Sequence, residues 1–425
     1  MDNNEKKLGF WSCWSLNVGI MIGSGVFLLP AILAPFGLIS FAGWLITGGG
    51  SILLALVFSR LSSRTSRSGG PYIYTKDAFG NLPAFLIAWS YWCCYWIAIP
   101  ATAIAFVGYL TIFIPALEQD TTLQCIATLT LMWTLTLINI RGLKEASSVQ
   151  IITTILKLIP LVIIIGLGFA IGSSDNLPEF NPKNMSVLEG LAVTALLTMW
   201  AFSGMEAGTM PAGDVKDAQK TVPRAIVAGT LTVAVVYIAS TAAIMMLIPA
   251  EVLVNSTAPF ADAAQALGDW GPKLIAIGAM VSTAGALNGV IFISGQMPTA
   301  VALDKLAPEI LARKNKGGAP VVSLLLASSL ATVLLIANYS RGLIGSFTFL
   351  VMMSTLTYMV PLLASALAEF KYSLKSSRAW AAVAMIAFLY SVFIVLGSGL
   401  EVIAWCIVFL LIGVPVYYLG RTTKP

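Results

Sequence analysis

Long apolar stretches constrain this chain more than any other feature of its sequence. A helix needs about 20 residues to cross the roughly 30 Å hydrocarbon core of a bilayer. Stretches of this length recur throughout the chain, and 10% of its residues are charged, against about a quarter in a water-soluble protein. We therefore expect an all-α membrane protein. Twelve transmembrane helices, numbered here as spans 1 to 12, are predicted at 12–38, 42–61, 82–115, 122–140, 149–171, 188–212, 224–248, 271–302, 320–338, 342–369, 378–397 and 401–419.

Positive charge is distributed unevenly between the loops of this arrangement. Short cytoplasmic loops of membrane proteins are enriched in lysine and arginine. If the N-terminus is cytoplasmic, all but four of the 24 lysine and arginine residues lie on the cytoplasmic side. The four are Lys183, Lys273 and Arg341 on the outer side and Lys157 within span 5. A miscounted span would mix the two sides, so the charges favour twelve spans with both termini cytoplasmic.

Several classes of function are disfavoured by residues that the sequence lacks. It has no histidine, which excludes Ser-His catalysis and histidine metal sites. It has no GxSxG or Walker-type loop, which argues against a membrane protease and an ATP-driven pump. Its five cysteines show no CxxC spacing, so neither disulfides nor a zinc site are indicated. We expect no enzyme activity, no cofactor and no metal, and the net charge of +5 implies no nucleic-acid partner.

Two spans are interrupted in the same way. Gly23 in span 1 and Gly204 in span 6 are each followed, seven residues later, by a proline, Pro30 and Pro211. Five spans separate the two interruptions, so two copies of a five-helix unit are predicted, and a unit with an odd number of helices must insert the second time in the opposite orientation. The predicted division of the single transporter domain 1–425 is 12–171 for the first repeat, 188–369 for the second, and 378–419 for spans 11 and 12.

The interruption at Gly23-Ser24-Gly25 is the predicted substrate site. Broken helices at corresponding positions of inverted repeats mark the binding sites of secondary transporters. A break inside the membrane exposes N–H and C=O groups that lipid cannot satisfy. The carboxylate of an amino acid can accept from those N–H groups at the start of a helix, and its ammonium can donate to the carbonyls. The alternative is that the three small residues only allow close helix packing.

Two ionisable residues lie at membrane depth. Lys157 in span 5 should face a cavity or a partner, because an ionised lysine in lipid is costly; the alternative is that it reaches the nearer membrane surface. Glu206 follows the interruption of span 6 and could carry a proton, act in a gate or bind the substrate ammonium, or else reach water in a loop. Tyr91 and Tyr95 share a helix face and could line a solute path, although such aromatic residues more often serve packing.

Short motifs resemble the amino acid–polyamine–organocation (APC) transporters, most closely the basic amino-acid/polyamine antiporter group. The two most specific are IGSGVFLLP at 22–30 and WAFSGME at 200–206. The resemblance covers almost the whole chain. It implies a LeuT-like fold, with a 5+5 inverted repeat, discontinuous helices 1 and 6 and two further helices, working by alternating access. Supporting motifs lie at 69–74, 138–142, 222–226, 315–321 and 395–402.

The resemblance also implies roles for particular residues. The N–H groups of Ser24 and Gly25 would bind the substrate carboxylate, and carbonyls near Met21, Trp200 and Ser203 would bind the α-amino group. With Gly23, the implied substrate-binding set is Met21, Gly23, Ser24, Gly25, Trp200 and Ser203. The implied gate and pH-sensing set is Tyr91, Trp200 and Glu206. A lysine at the place of Lys157 resembles proton-coupled, sodium-independent members of the superfamily.

The side-chain pocket departs from the arginine/agmatine pattern of that group. Val290 stands where those antiporters have a tryptophan, and Ile99 where they have an asparagine. Losing a cation–π face, which is worth up to about 2 kcal/mol, makes arginine a poor substrate. The predicted pocket, which comprises Cys94, Tyr95, Ile99, Val290 and Met352, is therefore apolar.

A sodium-independent amino-acid transporter is the leading hypothesis, working by exchange or by proton coupling and preferring a neutral or apolar amino acid. The alternative is a basic amino-acid or polyamine antiporter, such as an arginine/agmatine exchanger, and a remote one is a receptor or channel that does not transport. The expected location is a bacterial inner membrane. The expected partners are a small amino-acid-like substrate and membrane lipid, and a homodimer is possible.

Overall fold

A computed structural model describes residues 9–64, 70–141, 147–206 and 215–422 of the chain. This part is almost entirely helical and contains no β-strand. Its helices, in chain order, are α1 Phe10–Met21, α2 Ser24–Leu33, α3 Ile39–Ser62, α4 Pro71–Phe79, α5 Asn81–Leu110, α6 Ala116–Gln119, α7 Thr121–Ile140, α8 Ser147–Ile171, α9 Val187–Met199, α10 Ala218–Leu247, α11 Ala250–Leu253, α12 Pro259–Ala263, α13 Gly271–Leu303, α14 Val321–Asn338, α15 Gly342–Ser373, α16 Arg378–Leu396 and α17 Gly399–Thr422.

The prediction of a polytopic membrane protein is confirmed. Within the described residues, nine helices are long and apolar enough to cross a bilayer, and α1 with α2 forms a tenth span bent by 43°. Spans 5 and 6 fall on two shorter apolar segments, Lys157–Ile171 and Val187–Phe202. The count of twelve spans and the inverted repeat stay predictions.

The centre of the molecule is α5. In its most apolar stretch, 89% of the residues are buried, whereas 17% are buried in the corresponding stretch of α17 at the periphery. Its main packing partners are α13 and α15. Small residues such as Ala98, Ala101 and Ala105 are buried along α5 and let the neighbouring backbones come close, which is how helices associate in lipid. The side chains of α5 therefore face other helices on every side.

Hydroxyl groups hold neighbouring spans together. The hydroxyls of Thr47 on α3 and Thr198 on α9 lie 2.7 Å apart. Ser90 on α5 donates to the carbonyl of Thr357 on α15 at 2.7 Å. Such bonds between helices contribute about 0.6–2 kcal/mol each in a membrane. They anchor α15, which carries a residue of the site described below, and α9, which ends one residue before Trp200 of that site.

Two ion pairs connect helix ends and loops on one side of the bundle. Arg64, after α3, pairs with the buried carboxylate of Glu369 on α15 at 2.9 Å. Lys76 on α4 pairs with Asp304, after α13, at 2.7 Å. Burial of Asp304 opposes its ionisation, but hydrogen bonds from Lys76 and Tyr72 outweigh this and lower its pKa. The ends of α3, α13 and α15 thus lie on one face, which we call the basic face and which the charge distribution predicts to be cytoplasmic.

Candidate functional site

The first span breaks at Ile22 and Gly23. Helix α1 ends at Met21, and α2 begins at Ser24 with Gly23 at its N-cap. Gly23 adopts φ −133° and ψ −135°, outside the helical region. The first N–H groups of a helix have no carbonyl partner within it, so those of Ser24 and Gly25 are available donors at the positive end of the helix dipole. The break in span 1 therefore includes Gly23, as the sequence predicts.

Side chains from two other helices bind the carbonyls on the α1 side of the break. The Tyr237 hydroxyl on α10 donates to the carbonyl of Met21 at 2.6 Å. The Lys157 ammonium on α8 donates to the carbonyl of Gly19 at 3.1 Å. The Met21 carbonyl, expected to bind a substrate amine, thus already accepts one bond and keeps a second lone pair.

Span 6 is interrupted as well. Helix α9 ends at Met199, and a 3₁₀ turn covers Trp200–Phe202 before the chain leaves helical geometry. Gly204 has a φ of +95°, and a Cβ at this position would collide with Ile20 on α1, so only glycine fits here. The predicted second half of span 6, with Pro211, lies outside the described residues.

A cavity of about 60 Å³ lies between the two interruptions. Of the predicted site residues, it brings together Met21, Gly23, Gly25, Cys94, Tyr95, Trp200, Ser203 and Val290. The residues that sequence analysis missed are Ile20, Ala98, Thr102, Ala286 and Tyr358. These are small or common in membrane helices, and nothing in the sequence distinguishes them from packing residues.

The predicted pocket residues Ile99 and Met352 do not line this cavity. Helix α5 presents Cys94, Tyr95, Ala98 and Thr102 to it, while Ile99 is fully buried in the core. Met352 packs as a partly buried side chain against the same core. Their assignment to the side-chain pocket stays a prediction, because an alignment by motif does not determine which face of a helix meets a cavity. Thr102 and Tyr358 add hydroxyl-bearing side chains to the wall of this cavity.

Two glycines permit close contacts around the cavity. A Cβ on Gly25 would lie 2.8 Å from Cδ1 of Trp200, and one on Gly23 would lie 2.9 Å from Cβ of Ala286 on α13. Both distances are below van der Waals contact. The indole of Trp200, 8% exposed, therefore packs directly on the start of α2. This contact suits a gate that covers the break.

Replacing Gly25 with alanine is expected to lower transport about 5- to 150-fold, because overpacking of this kind typically costs about 1–3 kcal/mol. Gly289→Ala on α13 is the matched control, since nothing lies within 4 Å of a Cβ added there. Uptake into proteoliposomes, normalised to inserted protein, measures the difference. Equal rates for the two variants would contradict the proposed contact.

A carboxylate network lies beside the cavity. Glu206, whose side chain is fully buried, accepts hydrogen bonds from the hydroxyls of Tyr91 on α5 and Tyr358 on α15. The hydroxyls of Tyr91 and Tyr95 lie 3.0 Å apart, and the N–H of Gly204 donates to Tyr358 at 3.1 Å. The network thus joins α5 and α15 to the interruption of span 6. Tyr91 and Glu206 were predicted here, and Tyr358 was not.

Lys157 is 7% exposed, and its ammonium points to the break of span 1 rather than to a membrane surface. A Cβ added to Gly285 on α13 would lie 3.7 Å from both Cε and Nζ of Lys157. The lysine therefore occupies the space between α1, α8 and α13. Its positive charge lies where these three helices meet.

Comparison with known proteins places the chain in a family. The amino acid permease family matches residues 8–419, nearly the whole chain. The chain belongs to the amino acid permease family. The permease is 30% identical to the putative arginine/ornithine antiporter of Bacillus subtilis (strain 168), over 99% of its own length and 97% of the relative's.

Two further relatives are transporters as well. The cadaverine/lysine antiporter of Escherichia coli (strain K12) is 32% identical over 79% of the permease and 75% of the relative. The putrescine transporter PotE of Haemophilus influenzae is 30% identical over 98% of both chains. With its apolar helices, this establishes the permease as an integral membrane transporter.

Proposed function

We propose that the permease is a sodium-independent antiporter that exchanges a cationic amino acid for another cationic amino acid or a diamine. The observation that carries the proposal is the set of substrates given in the names of its relatives. Arginine, ornithine, lysine, cadaverine and putrescine are all cations at neutral pH. The preference for a neutral amino acid inferred from sequence is not supported by these relatives.

The candidate site supports this assignment. Donors at Ser24 and Gly25 suit a carboxylate, and the carbonyls of the break suit an ammonium. The faces of Trp200 and Tyr95 can bind a second cation, with a cation–π contribution of about 0.5–2 kcal/mol. Within the described residues, the Oγ atom of Ser203 is buried with no hydrogen-bond partner, so it is available to a substrate.

The same site suits a diamine. In the part of the chain that the structure describes, no charged side chain lines the cavity. The carboxylate of an amino acid would thus interact only with N–H dipoles. A diamine has no carboxylate, and its binding would leave no charged protein side chain unpaired in the cavity. This arrangement favours exchange between the two substrate types.

The proposed coupling groups are Lys157 and Glu206. The ammonium of Lys157 binds the Gly19 carbonyl, one turn before the break of span 1, where it would disfavour a bound sodium ion by charge repulsion. Glu206 is the proposed pH-responsive group. The proposed mechanism is alternating access, in which the two predicted inverted repeats move relative to each other. The proposed location is a bacterial inner membrane, with both termini cytoplasmic.

The test is counterflow into proteoliposomes preloaded with unlabelled lysine, arginine, ornithine, putrescine, cadaverine or leucine. Labelled lysine or arginine is expected to enter at least about tenfold faster when the lumen holds a cationic substrate than when it holds leucine, because about 1.4 kcal/mol of selectivity is tenfold. Replacing sodium with potassium should leave the rates unchanged.

Protein-free liposomes and Gly25→Ala proteoliposomes serve as controls in this assay. Faster exchange of leucine than of any cationic substrate would overturn the proposal in favour of a neutral amino-acid exchanger, for which Val290 in the cavity wall would then be the explanation. Strict sodium dependence would contradict the proposed role of Lys157.

A further inference from the structure

A second and larger cavity lies away from the candidate substrate site. Its volume is about 260 Å³, about four times that of the cavity beside Trp200. Helices α5, α13, α14 and α17 form its walls, together with the 3₁₀ turn Glu309–Ala312. Its lining is apolar and includes Phe85, Trp92, Val301, Leu311, Leu326 and Val416.

The cavity lies close to the basic face. Phe85 is about one turn from the start of α5, and Val416 is less than two turns from the end of α17. Ala307 and Pro308, which also line it, follow Asp304, the partner of Lys76. This depth corresponds to acyl chains just below the headgroups of the leaflet that the charge distribution predicts to be cytoplasmic.

Water is a poor occupant of this cavity. Its two tryptophans already direct their N–H groups to backbone carbonyls, Trp89 to Phe409 at 2.7 Å and Trp92 to Ser294 at 2.9 Å. A buried water needs two to four polar partners, whereas an apolar cavity of about 150 Å³ stays dry and takes up a benzene-sized molecule. An apolar chain therefore fits the cavity far better than water does.

The loop beside the cavity is basic. Arg313, Lys314 and Lys316 lie two to five residues after Leu311 and are exposed, and Lys305 is exposed at the start of the same loop. Of its two carboxylates, Asp304 is paired with Lys76, and Glu309 is exposed. The loop therefore keeps a net positive charge at the depth of the phosphate groups. Basic clusters beside transmembrane helices bind anionic headgroups.

We propose that this cavity holds an acyl chain of an anionic phospholipid whose headgroup binds Arg313, Lys314 and Lys316. The apolar walls account for the chain and the basic loop accounts for the headgroup. The proposed lipid contacts α5 and α13, which also wall the cavity beside Trp200, and it fills the space next to Pro298 inside α13. The proposal is independent of which amino acid is transported.

The test uses purified full-length permease reconstituted in vesicles of equimolar phosphatidylglycerol and phosphatidylcholine, followed by extraction and native mass spectrometry. The wild type is expected to retain one phosphatidylglycerol in preference to phosphatidylcholine. The triple variant Arg313→Gln/Lys314→Gln/Lys316→Gln should lower that preference about fivefold or more, since one cation near an anionic headgroup contributes about 1 kcal/mol. Lys375→Gln/Arg378→Gln is the matched control and should retain the lipid, because Lys375 is exposed in the loop after α15 and Arg378 is exposed at the first residue of α16.

A second variant tests the acyl-chain half. Ala307→Trp, in the loop wall of the cavity, should reduce retention of both phospholipids by filling the space. Should Ala307→Trp not elute as a folded protein, Leu326→Trp on α14 takes its place. Equal retention of the two lipids by the wild type, equal losses in the triple and control variants, or unchanged retention after the cavity is filled would each overturn the proposal. Recovery of a single-chain fatty acid in place of phosphatidylglycerol would also overturn it.

Discussion

Lys157→Met proteoliposomes are expected to exchange substrate about 10- to 150-fold more slowly than the wild type, although the variant reaches the membrane in normal amounts. The wild-type ammonium donates to the Gly19 carbonyl, one turn before the break of span 1. A hydrogen bond to a charged group contributes about 1.5–3 kcal/mol, so its loss corresponds to about a 10- to 150-fold effect. Methionine fills similar space but neither carries the charge nor satisfies the carbonyl.

A neighbouring contact between the same two helices provides the matched control. Thr154, about one turn before Lys157 on α8, donates to the Ser15 carbonyl on α1 at 3.1 Å. Thr154→Val also removes a bond between α8 and α1, but it leaves the charge in place, so exchange should fall by less than about threefold, as for a neutral bond of about 0.5 kcal/mol. Uptake of labelled lysine, normalised to the amount of inserted protein, compares Lys157→Met with Thr154→Val. Normal pH-dependent transport by Lys157→Met would contradict the proposed role of the lysine.

Glu206→Gln is expected to transport at the same rate in mildly acidic and mildly alkaline buffer. In the wild type, the ionised carboxylate accepts charge-assisted bonds from Tyr91 and Tyr358, which hold α5 and α15 on the interruption of span 6. Protonation weakens these bonds and frees the interruption to move, so wild-type exchange should rise on acidification. Glutamine resembles the protonated carboxyl, and the variant should be about tenfold faster than the wild type in alkaline buffer if about 1.4 kcal/mol is released.

The control for this variant changes a partner of the carboxylate. Tyr358→Phe removes one of the two tyrosine hydroxyls but leaves Glu206 to titrate and Tyr91 to donate. It should therefore keep a pH dependence of smaller amplitude. Initial rates of lysine counterflow across a series of buffers, with equal pH on both sides of the membrane, measure both profiles. A wild-type pH profile in Glu206→Gln would assign the titration to a different group.

The membrane class of the permease and the place of its candidate site could be predicted from sequence. Apolar stretches longer than a bilayer is thick must become helices, because no other continuous segment satisfies its own backbone in lipid. The break at Gly23 was predictable because its small residues, followed by a proline seven positions later, recur in the same pattern at Gly204 in span 6. Lys157 and Glu206 were detectable because a charge inside a membrane is costly.

The composition of the cavity wall was not predictable in the same way. Ile99 and Met352 were assigned to it, yet Thr102 and Tyr358 occupy the wall instead. All four lie on helices that other helices surround, so hydropathy does not vary around the helix and cannot indicate which face meets the cavity.

The sequence by itself determined that this chain crosses a membrane repeatedly, that its first span is interrupted at Gly23, and that a lysine and a glutamate lie at membrane depth. Each of these follows from local chemistry, because lipid penalises every unsatisfied backbone group and every isolated charge wherever it occurs. Only the tertiary structure decided that Lys157 contacts Gly19, that Glu206 binds Tyr91 and Tyr358, and that an apolar cavity opens beside a basic loop. These contacts depend on the rotation and packing of helices far apart in the chain, which side-chain shape controls and hydropathy does not record.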